Sequence, residues 1–101
     1  MGSRLELQQK LENILGNRNV YFQPPSNIRL NYPAIVYGLS KYDPLRAEND
    51  IYLLRKAYDM TLIETVPESA FAEKLLRLPY CAHDRTFVSD NLYHNTFTIY
   101  Y

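Results

Sequence analysis

"DIYLLRKAYDMTLIETV", residues 50–66, is the stretch whose reading decides the fold. Tyr52, Leu54, Tyr58, Met60 and Leu62 share one parity, interrupted by Lys56, whereas Arg55, Asp59, Thr61 and Thr65 make the other largely polar. Alternation of this kind sends successive side chains to opposite faces of a sheet. It predicts one long antiparallel strand with a wet face. "IYLLRKAY" alone also fits a helix, but the β-branched "TLIETV" that follows favours the strand.

Upstream, "VYFQ" (20–23) reads as a short strand closed by Pro24-Pro25. Two prolines remove two amide donors, so such a strand must end there or lie at a sheet edge. "YPAIVYGLS" (32–40) restarts the strand pattern, with Ile35, Tyr37 and Leu39 opposed to Ala34, Val36 and Gly38. "KYDPLRAEND" (41–50) reads as a polar loop in which Asp43-Pro44 opens a turn.

Two helices complete the pattern. Leu7, Leu11, Ile14 and Leu15 fall on one stripe, Ser3 and Glu6 have capping-box spacing, and Gly16 stands where a C-terminal cap belongs. The leading "MGS" reads either as native sequence or as a disordered or appended lead-in. In "VPESAFAEKLLRLP" (66–79), Phe71, Leu75 and Leu78 form the stripe, Pro67 and Glu68 suit a first turn, and Thr65 with Glu68 repeats the cap spacing. The tail "RTFVSDNLYHNTFTIYY" (85–101) reads as two strands about a turn near Asp90-Asn91. The expectation is a single α+β domain over residues 1–101, with an antiparallel sheet, two helices on one face and the order α-β-β-β-α-β-β.

Composition narrows the function. With 47% apolar and 22% charged residues the chain has the balance of a globular domain. Ten of its fourteen aromatics are tyrosine, whose broad ring and polar tip suit sheet faces and interfaces. "YGLSKY" and "IYLLRKAY" interleave tyrosine with cations, as single-strand nucleic-acid binders do. Net charge is zero, however, and Tyr52 and Tyr58 fall on the expected core parity, which argues against a phosphate-tracking groove. Cys81 is the sole cysteine, so an internal disulfide framework is excluded and a reducing compartment is the natural setting. The N-terminal stretch lacks the apolar core of a secretion signal, and no run approaches the ~20 apolar residues that span a bilayer.

Candidate chemistry is sparse. Cys81, His83 and His94, with Asp84 or Asp90, are the residue types of a zinc site, but C-x-H without a second spaced pair is not a zinc pattern. Sequence adjacency of Cys81 and His83 does not make a nucleophile and base. The three glycines, at positions 2, 16 and 38, are isolated and form no phosphate loop. The expectation is a non-enzymatic chain without cofactor or metal. The charges of residues 41–50, with Arg55 and Asp59 on the polar parity, fit a solvated face or, in an oligomer, pairs across subunits.

"VYFQPPSNIRLNYPAIVY" (20–37) and "CAHDRTFVSDNLYHNTFTIYY" (81–101), joined by "LRLP" (76–79), resemble small proteins of tailed bacteriophages and prophages, of the tail-terminator, tail-completion or minor structural class encoded among head–tail joining genes. The resemblance implies an α+β subunit of a closed, hexameric ring in the virion, at the head-proximal end of the tail. Assembly in the bacterial host cytoplasm is implied, with the tail tube protein and a neck or connector protein as partners. It makes Lys41, Asp43, Arg46 and Glu48 subunit contacts, with Arg55 and Asp59 behind them. The competing expectations are a neck, connector or minor capsid component, and a nucleic-acid-binding accessory protein.

Overall fold

The computed structural model describes residues 3–47, 50–67 and 69–101. Its elements are α1 (Arg4–Leu15), β1 (Val20–Phe22), β2 (Ala34–Ala47), β3 (Asp50–Glu64), α2 (Ala70–Leu76), β4 (Cys81–Ser89) and β5 (Leu92–Tyr100). The α+β class and the element order are those expected. Among the described residues the five strands form one sheet in the order β1-β2-β3-β5-β4.

Both helices pack on one sheet face. Ile35 and Tyr37 of β2, Tyr58, Met60 and Leu62 of β3, and Phe97 and Ile99 of β5 present that face, and Leu7, Leu11, Leu15 and Leu75 close over it. Pairing brings Tyr37 opposite Met60, and Met60 opposite Phe97, so the expected parities interlock there, while the side chains of Tyr52 and Leu54, expected on the same parity, lie outside what the structure describes. α1 begins where Ser3 Oγ accepts from the Glu6 amide at 3.2 Å, which makes Ser3 part of the fold. It ends at Gly16, whose φ of 78° lets its amide donate back to Glu12 at 2.9 Å. The β4–β5 turn holds Asp90 and Asn91 at φ 54° and 62°, the left-handed pair that matches strand twist in a tight hairpin.

Three expectations are corrected. First, the sheet is mixed, because β1 pairs in parallel with β2 (Val20 with Ile35, Phe22 with Tyr37). Parallel neighbours need a connection that returns the length of the strand. Residues 23–33 supply it, passing as a strap across the face opposite the helices, where Pro24, Ile28 and Leu30 line a cleft with Ile63, Phe87 and His94. Gln23 locks the strap's start. Its backbone is left-handed (φ 43°), its amide donates to Tyr37 O at 2.8 Å, and its side-chain oxygen accepts from the Leu39 amide at 3.1 Å. That side chain lies over Gly38, where a Cβ would meet it at 3.0 Å.

Second, most of "KYDPLRAEND" is strand. β2 runs on to Ala47 and β3 starts at Asp50, paired from Lys41–Ala57 to Ala47–Asp50. Pro44 stands opposite Leu54 without ending the ladder. An antiparallel pair uses only alternate amides between two strands, and proline is tolerated at an edge where its missing donor would face outward. Third, α2 starts later than its sequence signals suggest. Ser69 is its N-cap, accepting from the Phe71 amide at 3.3 Å, while Thr65 and Pro67 stay exposed in the connection. Glu68, expected in the first turn, lies outside the described residues. No described helix is long and apolar enough to cross a membrane.

Two core tyrosines make stability depend on pH. Burial raises the Tyr37 phenol above the ordinary 10.0, and burial with its neighbour Tyr37 does the same to Tyr58. Tyr37 also donates from its hydroxyl to Gln8 Oε1. The folded chain therefore keeps protons that the unfolded chain gives up, so this contribution is whole below pH 10 and is lost as pH climbs through the raised folded values. Urea midpoints should fall above about pH 10, and more gently in a Tyr37→Phe/Tyr58→Phe variant. An identical alkaline slope in the two proteins would contradict the assignment.

Candidate assembly surface

β1 reaches β2 only as far as Tyr37, and β5 reaches β3 only from Ala57 onward. Beyond those points, apart from the Tyr101 amide donating to Lys56 O at 2.9 Å, β2 and β3 pair with each other among the described residues, so residues 41–47 and 50–56 form a two-stranded arm. The arm contributes to a molecule of 50 × 27 × 23 Å. A 101-residue globule has a radius of gyration of about 13 Å, against the 14.6 Å found here. The bulge between Leu39 and Lys41 marks the arm's root, where parity shifts by one.

Most of the sequence-nominated contact residues fall on this arm. Lys41 and Arg46 are exposed on β2. Asp43 stands opposite Arg55 in register. Arg55 is half-buried at the root, its guanidinium 5.0 Å from the centre of the Tyr100 ring, which positions the cation against an aromatic face. Asp59 is not on the arm. It is exposed on the sheet proper, between Gly38 and Thr98, on the face away from the helices. Glu48 lies outside the described residues. Tyr42, at 58% exposure, is an arm residue that parity reasoning did not single out.

The Cys81, His83 and His94 set does not converge. Cys81 and His83 stand opposite Ile99 and Phe97 on the helix-covered side, and His83 meets Phe97 edge-on at 5.2 Å. His94 lies on the other side, stacked on Phe87 at 4.7 Å, and the Arg85 guanidinium lies 4.7 Å from the centre of the same Phe87 ring. Burial, with Asp84 nearby, pushes the Cys81 thiol up to about 11, the opposite of an activated nucleophile. Among the described residues no three His, Cys, Asp or Glu side chains gather as a metal site.

Sequence reasoning passed over Tyr80. It has φ 59° and a side chain 76% exposed, just before β4 at the arm's root. Bulky side chains rarely adopt that conformation, and only the Pro79 preceding it hinted at an unusual connection. The chain matches no protein-family model and no curated protein.

Proposed function

We propose that the chain is a non-enzymatic virion assembly protein of a tailed bacteriophage, forming a hexameric ring that terminates the tail tube and joins it to the neck. The arm is the observation that carries this reading. A two-stranded ribbon offers edge backbone groups to which another chain can add a strand, within the limits that Lys41, Pro44 and the bulges at its edge set. One copy's arm against a different surface of the next is a heterologous contact, which closes into a ring when the rotation allows. Cations and carboxylates along the arm would set register and suppress wrong partners, with apolar and tyrosine surface supplying affinity. One ring face then matches the last tube ring and stops further addition; the other receives the neck.

Charge reversal tests the arm's part in this. Arg46→Glu should weaken self-association about tenfold at low salt while the monomer keeps its circular dichroism and urea midpoint. Unchanged association would remove the arm from the interface. Particles made without the chain should carry overlong or headless tails. Leaking or tailless heads would assign it to the connector instead.

A further inference from the structure

Tyr100 ends β5 and Tyr101 follows it, where the arm leaves the sheet, and their amides point to opposite neighbours. The Tyr100 amide donates to Tyr80 O at 3.1 Å, toward β4, and the Tyr101 amide donates to Lys56 O at 2.9 Å, toward the arm. The rings are held as well. The Arg55 guanidinium lies 5.0 Å from the centre of the Tyr100 ring, and Lys10 Nζ of α1 lies 4.8 Å from that of Tyr101. One dipeptide therefore ties α1, the β4 side of the sheet and the root of the arm together. Lys10, Arg55, Tyr80, Tyr100 and Tyr101 also line a cleft of about 330 Å³, so the tie spans a hollow and leaves the root room to move once released.

We infer that Tyr100 and Tyr101 form a latch that sets the angle of the arm to the sheet, and that Tyr101 is thereby a positioning residue for assembly, the second part resting on the ring-forming reading. A two-stranded ribbon is marginally stable by itself and twists more strongly than a wider sheet. The bulge between Leu39 and Lys41 adds twist at the root. On the β2 side, β1 pairs no further than Tyr37 among the described residues, so no third strand steadies the root there. On the β3 side the ladder with β5 reaches Ala57 and Tyr100, and the Tyr101 amide carries it one residue further, to Lys56. A ring closes only when each arm meets its neighbour at one angle. Affinity then falls with the fraction of copies whose arm is correctly poised.

Spin labels at Arg46→Cys on the arm and Val88→Cys on β4, in a Cys81→Ala background, read that angle by double electron–electron resonance at concentrations where the chain is monomeric. The parent should give one narrow distance distribution. Tyr101→Pro, which removes the amide donor, should broaden it; Tyr101→Ala, which keeps the amide and removes the ring, should broaden it less. Without labels, Tyr101→Pro should weaken self-association about tenfold while the circular dichroism of the folded monomer persists. A distribution as narrow as the parent's in both variants would overturn the latch. Broadening with undiminished association would overturn the positioning role and leave the ring standing. A parent that never associates would sink the ring and the positioning role together, and the distance distributions alone would then decide the latch.

Discussion

Replacing residues 41–56 with Asn-Gly leaves a folded monomer that no longer self-associates. The expectation follows from where the core lies. Among the described residues, every buried member of the core cluster, from Leu7 to Ile99, falls outside the arm. The cut joins Ser40 to Ala57, next to the paired Leu39 and Tyr58, and Asn-Gly supplies the left-handed pair that a two-residue hairpin needs. Among the described contacts, those lost to the sheet include the Tyr101 amide bond to Lys56 O at 2.9 Å and the Arg55–Tyr100 contact. Together those contribute about 1–2 kcal/mol. A shorter loop partly offsets that loss through its lower closure entropy. Denaturant melts should therefore shift little, while sedimentation reports only monomer. Oligomers persisting without the arm would place the interface elsewhere.

Phe97→Ala has the largest expected effect on stability. Phe97 is 0% exposed, stands opposite Met60 on β3 and His83 on β4, and so joins the sheet's centre to its far edge. Removing a buried phenyl ring costs about 3–5 kcal/mol, because transfer energy is lost and the cavity collapses only in part. Domains of this size have roughly 5–15 kcal/mol in total. The urea midpoint should drop by a large fraction at unchanged slope. Val88→Ala on the edge strand, at 63% exposure, should stay within about 0.5 kcal/mol of the parent. Equal losses at the two positions would contradict the placement of the core.

The readings that held are those in which one face of an element is buried. Leu7, Leu11 and Leu15 repeat at helical spacing because a single stripe meets the sheet, and Tyr58, Met60 and Leu62 alternate because one side of β3 meets the helices. The β2 half of the arm, 41–47, has no such signature. Among the described residues it pairs only with β3, and Asp43-Pro44 reads as a turn from local chemistry alone. The parallel pairing of β1 was hidden for another reason: three residues carry too little pattern to choose a direction, and the strap's path settles it. Tyr80 is a matter of backbone conformation, which side-chain patterning does not encode. Of the candidate contacts, Lys41, Asp43, Arg46 and Arg55 were legible as a charged group, but their placement on one projecting ribbon was not.

The account depends on this chain acting by fitting copies of itself, and native mass spectrometry of the full chain at low salt addresses that most directly. It predicts a discrete closed species at six times the 11.9 kDa subunit mass, lost when residues 41–56 are replaced. A chain that remains at the subunit mass at every concentration up to millimolar, with or without its arm, would contradict it.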